Sequence, residues 1–140
     1  MHPDAQRLQE MLQGLYSRHT GLVGFLDESY RSGRDKEFPF YTVTATVLDI
    51  EDLNEFRGDY LRTVGGHRWH TTERYSRGEK EKIREFIALL DHHKSELVVS
   101  VQVDIDNDDV EHARRECLVQ LVSRLSTMGC TLVVYERRGD

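Results

Sequence analysis

The chain has 140 residues, 38% of them hydrophobic and 31% charged, with 25 acidic against 19 basic side chains and a net charge of −6. That size suits one domain with a real core, and no apolar run approaches the roughly 20 residues that a membrane-spanning helix needs. The acidic balance disfavours sequence-blind binding of nucleic acid through a basic surface, although bound divalent cations would reverse the potential at a site of their own. The opening Met1-His2-Pro3-Asp4 lacks the charged-then-apolar layout of a signal peptide. Cys117 and Cys130, the only cysteines, both sit in apolar patterns, so a cytoplasmic protein with reduced thiols is expected.

Residues 4–18 read as a helix, with Asp4 as its cap and Leu8, Met11, Leu12 and Leu15 at helical spacing. Residues 1–20 are therefore set apart as a helical extension, suited to a flap or to homodimer formation, and 21–140 as a single α/β domain. Leu22 to Leu26 follow as a short strand that climbs to Asp27-Glu28-Ser29 and stops. The polar, Gly-containing segment 31–37 suits a hairpin loop. In residues 38–48, Tyr41, Val43, Ala45 and Val47 alternate with Thr42, Thr44 and Thr46. That period of two is the clearest strand signal in the chain, with the threonine face half exposed.

Asp49 opens a helix whose stripe is Leu53, Phe56, Tyr60, Leu61 and Val64, stopped by Gly65-Gly66. Residues 67–75 have no periodicity and contain the only Trp, and long connections of this kind are often functional. Ser76-Arg77-Gly78-Glu79 has the form of a capping box before a helix burying Ile83, Phe86, Ile87, Leu89 and Leu90. Leu97–Val103 reads as a strand covered on both faces. The acidic run from Asp104 to Asp109 reads as a turn and helix cap, since it lacks the Gly and terminal Glu of a calcium loop. The last helix carries Val110, Ala113, Cys117, Leu118, Leu121, Val122, Leu125 and Met128, and Cys130 to Tyr135 forms a final strand. Leu26, Val43, Val99, Leu118, Leu121 and Val133 are expected to be buried together.

The expected order is α-β-β-α-α-β-α-β, an α/β fold with a mixed sheet of four to five strands flanked by helices. Strand 97–103, its helix and strand 131–136 form a βαβ unit, so those two strands should point the same way. If strand 22–26 is parallel to them, Asp27 and Glu136 lie at one edge of the sheet and can share an ion. Open α/β sheets bind ligands at such an edge.

The segments Phe25-Leu26-Asp27-Glu28-Ser29, His70 to Glu73 and Glu136 to Asp140 resemble those of a ribonuclease H-like fold. More closely, they resemble an uncharacterised bacterial family, domain-of-unknown-function family thirty-eight hundred. The resemblance spans roughly 21–140. It departs from the fold in having two antiparallel strands before the first helix where three are usual. It also stops at Asp140, before the helix that usually brings the last carboxylate, as a C-terminally truncated domain would. The resemblance implies a metal-dependent nuclease-like phosphodiester hydrolase.

In that reading Asp27, Glu136 and Asp140 hold Mg²⁺ or Mn²⁺, the cations that hard oxygen ligands select. Two such ions sit about 3.5–4 Å apart, one activating water and one stabilising the leaving oxygen. His70 and Glu73, three apart, would add a proton-transfer group and a further carboxylate. Glu28 is the weaker ligand because it points away from Asp27 if the strand continues. Arg137, Arg138, Arg114 and Arg115 could meet phosphates, with a solvated helix face the favoured reading for Arg114 and Arg115. His92-His93, being adjacent, make a poor metal pair. The alternatives are a non-catalytic interaction or assembly module on the same fold, and a small-molecule phosphate-ester hydrolase.

Overall fold

The computed structural model describes residues 3–31, 39–65, 71–105 and 109–135, with backbone alone at 71–73. The elements are α1 (Pro3–Arg18), β1 (Leu22–Arg31), β2 (Phe40–Asp49), a 3-10 turn (Ile50–Asp52), α2 (Leu53–Val64), α3 (Thr71–Ser76), α4 (Lys80–His92), β3 (Glu96–Val103), α5 (Val110–Thr127) and β4 (Cys130–Tyr135). The expected order lacked α3, a six-residue helix too short to show a period. The chain divides into two compact units, Met1–Ile50 with Glu96–Asp140, and Glu51–Ser95.

The first unit is built on a four-stranded mixed sheet in the order β3-β2-β1-β4. β1 and β2 are antiparallel, as are β2 and β3, while β1 and β4 are parallel. β3 and β4 therefore point the same way, as the βαβ reading requires, but two strands lie between them. β1 does not stop at Leu26. It continues through Asp27 and Glu28 to Arg31, paired with β2 from Asp27↔Thr44 to Arg31↔Phe40. Polar side chains do not end a strand whose partner supplies backbone hydrogen bonds, since the pleat needs apolar residues on one face only.

α5 crosses one face of the sheet, mainly over β2 and β3. Leu26 and the odd residues Tyr41, Val43, Ala45 and Val47 of β2 meet Ala113, Cys117, Leu121 and Leu125. Those four α5 residues recur every fourth position, a ridge on one helical face. Leu118 packs at the margin of this core. Ser100, buried on the same face, donates its hydroxyl to Gln120 Oε1 at 3.2 Å.

Two expected core members are not there. Val99 is 53% exposed and Val133 is 37% exposed. Pairing of Thr44 with Val99 puts the odd residues of β3 on the sheet face away from α5, so Leu97, Val99, Val101 and Val103 are all exposed. β3 is an edge strand with one open face, not a strand covered on both. Val133 shares the α5 face but lies on the opposite edge strand, away from the main α5 contact. The threonines of β2 are half buried, as their alternation implies. On α1, Tyr16 is buried while Leu8 and Met11 face outward.

Cys117 is sealed in the core, its Sγ 3.4 Å from the Tyr41 carbonyl oxygen, and burial pushes the thiol pKa up. A protonated, inaccessible thiol is inert. One equivalent of a maleimide should label half-buried Cys130 in the native protein, and Cys117 should react only after unfolding. Mass spectrometry of the labelled peptides reads this, and native labelling of Cys117 would show that the core is open.

In the second unit the fully buried apolar side chains among the described residues are Leu53, Val64 and Leu89. Leu61 and Ile87, expected in the apolar stripes of α2 and α4, are exposed. Gly65 ends α2 at φ +70, its N–H reaching the Leu61 carbonyl. Arg74 Nη2 and Lys82 Nζ donate to the carbonyls of Val64 and Thr63, placing cations at the negative end of α2. The expected capping box is instead a helix stop. Ser76 closes α3, Gly78 turns the chain at φ +74, and the N–H groups of Gly78 and Glu79 return to the Tyr75 and Arg74 carbonyls.

Candidate functional site

The pleat sends Asp27 and Glu28 to opposite faces of the sheet, and their surroundings differ accordingly. Asp27 is exposed on the face away from α5, beside Thr44 of β2, and its Oδ1 accepts the Glu28 N–H at 2.9 Å. Glu28 lies on the α5 face with a side chain only 4% exposed. Tyr41 donates its hydroxyl to Glu28 Oε2, and Arg114 Nε donates to Oε1 at 3.2 Å. Arg114 also reaches Glu111 Oε1 at 3.1 Å and the Tyr135 hydroxyl at 3.0 Å, while Tyr41 stacks on Tyr30.

Glu28, expected only as the weaker ligand because it faces away from Asp27, is thus a buried structural carboxylate with both oxygens engaged. Arg114 is its counterion, not a solvated or phosphate-facing group, because its guanidinium is held by Glu28, Glu111 and the Tyr135 hydroxyl. Partial burial pulls the Arg114 pKa down, but the hydrogen bond and charge of Glu28, helped by Glu111, leave it above its ordinary value. Arg115 is exposed and pairs with Glu111 at 3.7 Å.

The ladder between β1 and β4 ends with Leu26 paired to Tyr135. The next residue of β1 is Asp27, and the next in sequence after Tyr135 is Glu136. Glu136, Arg137, Arg138, Asp140 and His70 lie outside the described residues, and so does the side chain of Glu73, whose backbone belongs to α3. Of the expected ligand set, Asp27 alone is a described side chain.

A different donor set forms in the second unit. One ligand atom each of Asp59, His92 and His93 lies within 4.8 Å of the other two. Adjacent residues on a continuous helix point about 100° apart, which is why the histidine pair looked unpromising. The helix ends between them. His92 is the last residue of α4, and His93 is its cap at φ −84, ψ 4. Lys94 then turns left-handed at φ 52, with its N–H on the Asp91 carbonyl and the Ser95 N–H on the Leu90 carbonyl. Beside this Schellman-type stop the two rings stand 5.0 Å apart, edge to face.

His93 is held on two sides. Its ring meets the edge of Phe56 at 5.2 Å, and its Nε2–H donates to Asp59 Oδ2 at 2.8 Å. Arg62 takes the other oxygen of Asp59. A cleft of about 460 Å³ opens beside the group, lined by Asp59, Arg62, Thr63, Glu85, Ala88, Leu89 and His92. The available sequence signal was the polar run Asp91-His92-His93-Lys94-Ser95, which ends a helix before a strand.

The sequence matches no known family model, and comparison with curated proteins and with solved structures finds no significant match.

Proposed function

We propose that the sheet unit is a metal-dependent nuclease-like domain with a ribonuclease H-like sheet, its carboxylate site centred on Asp27. One observation carries the reading: β4 runs parallel to β1, and their pairing reaches Leu26↔Tyr135, one residue short of Asp27 and Glu136. Extension of that ladder by one pair would set both carboxylates on the same face, away from α5. The antiparallel trio that the resemblance calls for is supported as β3-β2-β1, with its third strand delayed in sequence by residues 51–95.

The residues fit a hard divalent cation. Asp27 offers an exposed carboxylate on an open face, and the Asp27 side chain is anchored by the Glu28 N–H. When bound, Mg²⁺ or Mn²⁺ supplies activation of water and stabilisation of a leaving oxygen. The chain's own part is to hold carboxylate oxygens on one rigid sheet edge, with Asp140 as the third ligand and Arg137 and Arg138 toward the phosphates of a nucleic acid.

The test is Asp27→Asn, which removes charge and keeps shape. Calorimetry with Mn²⁺ should show binding in wild type and none in the variant, with an unchanged circular dichroism spectrum. Cleavage of a labelled oligonucleotide in Mn²⁺ should fall in parallel. Equal Mn²⁺ affinity in the two proteins would remove Asp27 from the site and the nuclease reading with it.

A second reading, an interaction or assembly module on the same fold, is favoured by the exposed ladder Leu97, Val99, Val101 and Val103 on edge strand β3 and by exposed Leu8 and Met11 on α1. Unpaired, apolar strand edges are pairing surfaces. A chain that is monomeric by light scattering at high concentration would speak against it.

A further inference from the structure

We infer that Asp59, His92 and His93 form a second metal site, a clasp that takes Zn²⁺ or a similar borderline divalent ion and joins α2 to the end of α4. It lies entirely within the unit of residues 51–95 and is independent of the nuclease reading.

The donor chemistry selects the ion. Two imidazoles and one carboxylate suit Zn²⁺, Co²⁺ or Ni²⁺, whereas Mg²⁺ and Ca²⁺ need mostly oxygen. At zinc–ligand distances of about 2.0–2.1 Å, tetrahedral ligands stand about 3.3 Å apart. The three donor atoms already lie within 4.8 Å of one another, and the closest pair, His93 Nε2 and Asp59 Oδ2, is at 2.8 Å. Exposed His92 is the side chain that would rotate to complete the set. The ion takes the place of the proton shared by His93 and Asp59, and that proton goes to solvent or to the other ring nitrogen.

Preorganisation is already present. The His93 side chain is 4% exposed, and Phe56 packs against its ring, so its orientation is fixed before any ion arrives. His92 is exposed and completes the set from the solvent side. The competing contact is Arg62 on Asp59. It is an exposed pair, with Arg62 74% accessible, and such pairs are weak. Three protein donors leave a fourth position open to the adjoining cleft, where Glu85 also lies.

The unit also has a structural use for a clasp. Among its described side chains the buried apolar ones are Leu53, Val64 and Leu89. Units of this size with thin cores are commonly held by metals or disulfides. The two cysteines lie outside it, at positions 117 and 130.

The experiment uses the full untagged chain, stripped with a chelator and titrated with ZnCl₂ by calorimetry. The expected result is one tight Zn²⁺ per chain, competition by Co²⁺ with a visible d–d spectrum of tetrahedral intensity, and a thermal midpoint that rises on Zn²⁺ addition. His92→Ala changes an exposed residue, so the stripped variant should melt with wild type yet bind Zn²⁺ at least tenfold more weakly. Asp59→Asn should do the same, and Arg62→Ala should tighten binding. Asp27→Asn should bind Zn²⁺ as wild type does, which separates this site from the Mn²⁺ site. Absence of a one-to-one Zn²⁺ complex, or equal affinity in wild type, His92→Ala and Asp59→Asn, would overturn the clasp and leave Asp59–His93 a simple hydrogen bond between two helices.

Discussion

Leu121→Ala is expected to destabilise the sheet unit by about 2–5 kcal/mol and lower its thermal midpoint by at least roughly 8 °C. Leu121 is 1% exposed at the centre of the α5 face, among Leu26, Val43, Ala45, Cys117 and Leu125. Truncation loses the transfer free energy of the removed atoms and leaves a cavity. The neighbours are ill placed to fill it, because β2 contributes β-branched and small side chains fixed by pairing on both edges. Val99→Ala, one strand away but on the open face, should cost less than about 1 kcal/mol. Chemical denaturation followed by far-UV circular dichroism measures both. A smaller loss for Leu121→Ala than for Val99→Ala would reverse the assignment of the two sheet faces.

Those two residues also mark how far the fold was legible. Leu121 stood in a long helical pattern whose every-fourth-residue ridge is buried, whereas Val122, read in the same pattern, is 46% exposed. The alternation in β2 likewise placed Val43 inward and Thr44 outward before any partner was known. β3 carried no comparable information. Leu97-Val98-Val99 is apolar on both sides, and periodicity cannot tell a central strand from an edge strand with an unmatched face. Its neighbour was equally hidden. β3 pairs with β2 across a separation that includes α2, α3 and α4, and nothing local encodes that contact.

The candidate sites divide along the same line. That Glu28 faces away from Asp27 follows from the pleat alone, so its exclusion from a shared ion was readable. Its burial against Arg114 was not, because that pair is 86 residues apart in sequence and needs α5 seated over the sheet. The parallel direction of β1 and β4 was reached indirectly through the crossover rule, and the register Leu26↔Tyr135 agrees with it. The Asp59, His92 and His93 group depended on where α4 ends. Helix ends are hard to read from a sequence, and the approach of Asp59, 34 residues before His93, is not encoded locally.

Removing Arg114 is the other change with a large expected effect, and it tests whether Glu28 is held for structure. The Glu28 side chain is 4% exposed and that of Arg114 is 30% exposed, so water screens part of the pair. Arg114→Ala leaves a buried carboxylate to which the Tyr41 hydroxyl still donates, and the cost should be about 1–3 kcal/mol, below the value for a fully buried pair. Glu28→Leu leaves a cation that can still turn to Glu111 and Tyr135, so its cost should be smaller. The double variant Glu28→Leu with Arg114→Ala removes both charges and should lose less than the two single changes together. The sign with pH follows from Arg114. A group whose folded pKa is raised contributes stability that is present below its unfolded value and is lost only as pH climbs through the folded one. Even its unfolded value lies far above the neutral range, so Arg114 stays charged and its contribution should be flat between about pH 6 and 9. Urea denaturation of the four proteins at the two ends of that window measures the coupling. Additive losses would show that Glu28 and Arg114 do not depend on each other, and would return Glu28 to the pool of carboxylates free to serve at a site.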